Sequence, residues 1–231
     1  MFFREVRDIY DAFMRQLHDW LLEPSEAIQT QTKLCERLVL TWDGREVKTV
    51  GGVDASYVDG IARAAIVVLS YPDLNLIEEL CVEMPIAFPY VPGLLAFREA
   101  PAVLAAWDKL GFKPDLVMFD GQGIAHPRGL GIASHIGLWI ERPTIGVAKT
   151  RLIGKHDAVG MNRGDRAKLF DERDAKRVIG AVLRTKTKTN PLYVSPGHLI
   201  DLAHAIEYVL ACDGGYRLPE PTRLADKNSK L

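Results

Sequence analysis

The sequence has little that would tie it together covalently or hold it in a membrane. Its three cysteines, Cys35, Cys81 and Cys212, are odd in number, far apart and without a CxxC pair, which argues against a disulfide framework and against a zinc knuckle. A reducing, cytoplasmic location is expected. No apolar run approaches the ~20 residues of a bilayer span, and the opening residues, with Glu5 and Asp8 among the first eight, are too acidic for a signal peptide. No membrane partner is expected. Repeats, low-complexity tracts and clear linkers are also missing, so the 231 residues read as a single domain with enough length to bury its own core. Neither a Walker A loop, nor HExxH, nor the residue order of a serine hydrolase is present.

Net charge is nearly absent too, with 29 Lys and Arg against 30 Asp and Glu. The balance hides a partition. Residues 1–141 carry 12 basic and 20 acidic groups, residues 142–188 carry 13 and 5, and residues 189–231 carry 4 and 5. The middle block makes a local field that a phosphate backbone would feel whatever the total. The bland account is a solvated surface, since charge runs usually are that.

Along the chain, Phe2, Val6, Ile9, Phe13, Leu17, Trp20 and Leu21 recur at helical spacing up to Pro24, predicting an extra N-terminal helix over 1–24. Ser25 is placed to cap a second helix running toward Leu40. Thr49 to Val58 and Ile61 to Ser70 read as strands joined by an Asp59-Gly60 hairpin turn, and Leu74 to Val82 completes an antiparallel meander. Then the grammar changes. Pro101 to Leu110 reads as a helix, Leu116 to Phe119 as a central parallel strand apolar on both faces, Gly129 to Ile140 as a helix, Thr144 to Ala148 as a strand and Leu199 to Cys212 as a late helix. The expected class is α/β, three layers, with a mixed central sheet and flanking helices.

Three carboxylates resist a purely structural reading. Asp54 lies mid-strand, where aspartate is disfavoured, although a solvent-facing position would also account for it. Asp120 ends the apolar strand and opens a glycine-rich loop, at the carboxyl edge where open α/β sheets bind ligands. Glu99 sits before Pro101, where a first-turn acid is ordinary. Together they offer the hard oxygen ligands that Mg²⁺ prefers. Beside a basic block, they point to metal-dependent phosphoryl transfer.

Five blocks, GGVDAS (51–56), PYVPGLLAFRE (89–99), PDLVMFDGQGIAHPR (114–128), PTIGVAK (143–149) and RLPEPTRLAD (217–226), resemble the endonuclease V family in order. The resemblance implies an RNase H-like fold and a repair nuclease that recognises deaminated adenine, hypoxanthine, and cuts the second phosphodiester bond on its 3′ side. It implies metal ligands Asp54, Glu99, Asp120 and Asp226, the last where the family has His or Asp, and His126 and Lys149 beside the scissile phosphate. Mg²⁺ is the implied cofactor, with Mn²⁺ as substitute. Tyr90, between Pro89 and Pro92, matches the family's wedge, and Gly93, Leu95, Gly121, Gly123 and Ile124 would frame a pocket for the flipped base. The alternative for Tyr90 is a buried loop aromatic. Gln122 stands where many members have His or Asn, and Ala125 replaces a frequent Ser. Ser195 to His198 resembles a further family block and reads as capping and turn chemistry first, with backbone-phosphate contact as the second reading. The implied partner is inosine-containing DNA or RNA, bound by a monomer. The competing readings are an RNase H-like nuclease of other specificity, including an inosine-RNA ribonuclease, and a non-catalytic binder of inosine strands.

Overall fold

The computed structural model describes residues 17–230. β1 (Thr49–Val58) and β2 (Ile61–Ser70) pair antiparallel through Asp59 and Gly60, whose φ angles of 50° and 78° are those the tight Asp-Gly turn requires. β3 (Leu76–Pro85) adds antiparallel to β2, two to three residues later than the pattern predicted. β4 (Leu116–Phe119) lies parallel to β1, and β5 (Thr144–Ala148) parallel to β4. All four residues of β4 are buried; Leu116 and Met118 join one core layer, Val117 and Phe119 the other, which is the period-two packing of a strand covered on both faces.

Three further strands, β6 (Arg166–Phe170), β7 (Val178–Leu183) and β8 (Leu192–His198), extend the sheet with antiparallel pairing, giving the order β3-β2-β1-β4-β5-β8-β7-β6. The sequence pattern predicts none of the three. Ser195 to His198, expected as capping and turn chemistry ahead of the late helix, lie instead within β8, although a proline is rare on an inner strand. In the structure Pro196 sits opposite Ile145, where the β5–β8 register shifts, so its lack of a donor is absorbed by the irregularity.

The helices are α1 (Pro24–Leu34), α2 (Leu95–Lys109), α3 (Ile132–Ile140), α4 (Leu202–Ala211) and α5 (Glu220–Ser229). α2 and α3 cover one face through Ala100, Val103, Ile132 and Ile136; α4 and α5 cover the other through Ile206, Val209 and Ala225. This is the three-layer, mixed-sheet α/β fold expected from the sequence.

Every helix expected from the sequence needs some correction at its ends; α3 and α4 each start three residues later than expected, at Ile132 and Leu202. The N-terminal helix proposed over 1–24 falls for residues 1–16 outside the described residues, while residues 17–23 are irregular rather than helical. Ser25 does not cap α1. Glu23 does, in a reciprocal box with Glu26, and the helix yields at Cys35–Arg37 to a 3₁₀ turn rather than reaching Leu40. α2 starts at Leu95 and runs through Pro101, six residues before the predicted start. Residues 220–229, for which the sequence pattern predicts no element, form α5.

Candidate active site

Asp54 projects from β1, and Asp120 follows β4 directly, its N–H donating to Val53 O at 3.0 Å so that the β1–β4 ladder carries it to the same sheet edge. Asp226 arrives from α5. One carboxylate oxygen from each of the three lies within 4.8 Å of the others. The close approach of α5 depends on Gly52: a Cβ there would lie 2.0 Å from Pro221 O, so any side chain would push the helix off β1. At its C-terminal turn Ser229 donates from Oγ to Asp54 Oδ2 at 2.6 Å.

Lys149, at the end of β5, bridges Asp120 and Asp226, and Lys230 donates to both oxygens of Asp226 at 2.8 Å. Burial alone would raise the Asp226 carboxyl, but these two ammonium groups hold it below the ordinary range. Asp120 goes the other way. Its burial outweighs the Lys149 contacts and raises it. Burial also pushes Asp54 up to about 6, opposed by the Ser229 bond and reinforced by the Asp120 and Asp226 charges.

Glu99 is not the exposed first-turn acid of the dipole reading. It sits inside α2, 7% exposed, and lines a small space with Asp54 and Asp120. Tyr57 donates its hydroxyl to Oε1, while Arg98 stacks over the Tyr57 ring at 4.8 Å. Burial raises Glu99 to about 8 despite that hydrogen bond, with Asp54 and Asp120 adding to the rise. Four carboxylates packed this closely repel one another, and a hard divalent cation is what oxygen-only donors of this kind accommodate. Tyr57 and Ser229 were not singled out from the sequence, where nothing marks a tyrosine or serine as a partner of a distant acid.

Beside the acids lies a cavity of about 160 Å³, with Ile132 shared between the two. Cavities of roughly 150 Å³ hold one benzene-sized ring, so a single planar base is the right scale. Tyr90, Pro92, Gly93 and Leu95 line it. Tyr90 is 73% exposed, which disposes of the buried-aromatic alternative. Gly121, Gly123 and Ile124 do not line the cavity. They stitch the loop to its neighbours instead: Gly123 N–H donates to Ser195 Oγ at 2.9 Å, Ile124 N–H to Pro196 O at 2.8 Å, and a Cβ on Gly121 would meet Ile132 at 2.6 Å. Ser195 is therefore a strand residue that accepts a bond from the Asp120 loop, not a helix cap. Gln31, Val91, Ala96, Gln122, Leu130, Gly131 and Leu152 also line it and were not assigned to it from sequence.

His126 stands in the cavity wall and not among the clustered acids. Its Nδ1 accepts from Arg128 N–H at 3.2 Å, which leaves Nε2 to donate to Gly93 O at 2.9 Å. Burial and the Arg128 charge lower it to about 4. A neutral imidazole with both nitrogens engaged holds Gly93 in place.

The basic block divides. Arg184 is buried and donates to Gly160 O and Val159 O; Arg163 pairs with Asp213; Arg173 and Arg177 flank Asp171. Arg151, Lys155, Arg166 and Lys168 are exposed and in none of the ion pairs found among the described residues.

A family model described as Endonuclease V matches residues 32–227. An endonuclease V of Trichormus variabilis is 50% identical over 216 residues, covering 92% of this chain and 96% of its own. The solved endonuclease V of Streptomyces avermitilis superposes with a TM-score of 0.85 at 42% identity, over 91% of this chain and 93% of its own. That of Ciona intestinalis, solved in complex with a DNA containing an inosine followed by a ribo-adenosine, does so at 0.77 and 27% identity, over 89% and 95%. A match that takes in every strand of the sheet and all three clustered aspartates makes the chain a member of the endonuclease V family, the metal-dependent nucleases of DNA repair.

Proposed function

We propose that the protein is a Mg²⁺-dependent deoxyinosine 3′-endonuclease that hydrolyses the second phosphodiester bond 3′ to hypoxanthine, leaving 3′-hydroxyl and 5′-phosphate ends. The observation that carries this reading is the convergence of Asp54, Asp120 and Asp226 beside a base-sized cavity overhung by exposed Tyr90. The described residues share one sheet, in keeping with a single nuclease domain, and three free thiols accord with a cytoplasmic setting.

Asp54, Asp120 and Asp226 would hold Mg²⁺, or Mn²⁺ in its place, with Glu99 alongside. Bound there, the ion supplies Lewis acidity at the phosphate and a more acidic water. Lys149 keeps a full positive charge beside Asp120 and Asp226: burial would lower its pKa, but bonds to the two carboxylates raise it. That charge is available to a phosphate oxygen. Tyr90, carried by a segment with prolines at 89 and 92, enters the gap that the flipped base leaves, at little cost in conformational entropy. His126 and Arg128 position Gly93 in the cavity rim through Gly93 O, at 2.9 and 2.6 Å.

The test is to incubate the protein with inosine-containing single-stranded DNA, duplex DNA and RNA, with Mg²⁺ or with EDTA, and to map the ends. Expected is a Mg²⁺-dependent cut one nucleotide beyond the inosine's 3′ neighbour bond, lost by orders of magnitude in Asp120→Asn, which keeps the shape and removes a ligand charge. Cutting of RNA alone would transfer the activity to an inosine ribonuclease. Near wild-type turnover in Asp120→Asn would remove Asp120 from the site.

A further inference from the structure

Ser229 is 1% exposed, its hydroxyl set against the acid cluster rather than in solvent. It stands one helical turn beyond Asp226 in α5, so the two project from the same face of the helix. On β1, Asp54 and Ser56 likewise share a face, one residue lying between them. The two pairs interlock. Ser229 Oγ donates to Asp54 Oδ2 at 2.6 Å, and Ser56 Oγ donates to Ser229 O. Asp226 O is also within reach of Ser229 Oγ, at 3.1 Å, but a hydroxyl has a single proton and the shorter bond to the carboxylate takes it. Among the described residues Ser229 is the one hydrogen-bond donor to the Asp54 side chain.

Resting on the reading of Asp54, Asp120 and Asp226 as metal ligands, we propose that Ser229 is a positioning residue that keeps Asp54 a one-oxygen ligand and so biases the site toward Mg²⁺ and Mn²⁺ and against Ca²⁺. Small octahedral ions take carboxylates one oxygen at a time and keep several waters, whereas Ca²⁺ gathers more oxygens and readily takes both from one carboxylate. A two-oxygen grip by Asp54 would need Oδ2, which Ser229 holds. Releasing Oδ2 would leave the buried hydroxyl only the longer bond to Asp226 O, a cost that falls on Ca²⁺ and not on the smaller ions. Partners that fix a ligating carboxylate act on metal affinity in this way, through the ligand and not by touching the ion.

The experiment measures Mn²⁺ and Ca²⁺ dissociation constants by calorimetry for wild type, Ser229→Ala and Ser56→Ala. Each protein is bound to an inosine strand whose second 3′ linkage carries carbon in place of the bridging 3′ oxygen, so that nothing is cut. Wild type is expected to prefer Mn²⁺, and Ser229→Ala to lose about tenfold of that preference, chiefly through tighter Ca²⁺ binding. Ser56→Ala loosens the same turn of α5 without removing the bond to Asp54, and should keep the wild-type ratio. An unchanged ratio in Ser229→Ala, a preference lost only through weaker Mn²⁺ binding, or a loss in Ser56→Ala as large as in Ser229→Ala overturns the proposal. Failure of the wild type to bind the strand or to take up either ion would instead overturn the metal-dependent inosine nuclease reading on which it rests.

Discussion

Tyr90 and Glu99 show what a single side chain reveals once its surroundings are known. A tyrosine 73% exposed at the mouth of an apolar cavity contributes little to the folded core, so Tyr90→Ala should leave thermal stability within about 0.5 kcal/mol of wild type. It should weaken binding to inosine strands and lower the ratio of inosine to adenine cutting. An unchanged ratio would strip Tyr90 of the wedge role. Glu99 bears on stability instead. Its carboxyl, raised to about 8 by burial, stays protonated in the folded state where the unfolded chain has already ionised. The folded protein therefore binds the extra proton, and stability contributed by this group is full below about pH 4.5 and lost as pH rises toward 8. Glu99→Gln cannot titrate and can still accept from Tyr57. In EDTA it should be more stable than wild type at pH 8, by about 4 kcal/mol, with the difference shrinking to under about 1 kcal/mol at pH 5. Urea unfolding at both values checks this. Equal pH dependence in the two proteins would show that Glu99 does not carry the penalty, and a site that destabilises its own fold is the expected signature of function over stability.

At the scale of elements, what was legible depended on whether a pattern is local. The hairpin of β1 and β2 is written in Asp59-Gly60 and alternating apolar residues, and β4 in four consecutive apolar residues, so both were readable. α5 was not. Its sequence EPTRLADKNS has only Leu224 and Ala225 to pack, and what holds it is the side-chain-free surface at Gly52 under Pro221. The acids on β1 and β4 were therefore visible as anomalies on recognisable strands, whereas Asp226 came only with the family block, and Ser229 and Tyr57 came with the structure. α2 was misplaced for the opposite reason: Pro101 is favoured in a first turn, and only burial of Ala96, Phe97 and Ala100 shows that the helix began earlier. The dependence of α5 on Gly52 is testable. Gly52→Ala puts a methyl group against backbone, which no rotamer change relieves, so α5 must shift and take Asp226 and Ser229 with it. Cleavage should fall at least a hundredfold, and the melting temperature should drop by several degrees. Full activity would mean that the sheet and not the helix yields.

For the whole molecule, the question is how a chain of net charge −1, with an acidic first half, holds a polyanion. The 142–188 block answers only in part, because its cations do different jobs. Arg184, Arg163, Arg173 and Arg177 are spent on carbonyls and on Asp213 and Asp171, and removing them would damage the β6–β7 extension rather than the DNA contact. Arg151 is exposed between Lys149 and Leu152 of the cavity wall, while Lys155, Arg166 and Lys168 stand exposed along β6 and the loop paired with it. Each cation that touches a phosphate releases counterions, so log K falls against log salt by about 0.9 per contact on duplex and about 0.7 on single strands. Replacing Arg151, Lys155, Arg166 and Lys168 by Gln should thus flatten that slope and weaken inosine-containing and normal strands alike, with the cut position and the inosine preference unmoved. Arg163→Gln alone should leave the slope as it is and lower stability, since its guanidinium joins the 142–188 block to the end of α4 through Leu210 O and to Asp213. A quadruple variant with the wild-type slope would assign the exposed cations to solvation, and the attraction for the backbone would then rest on Lys149 and the metal at the acid cluster.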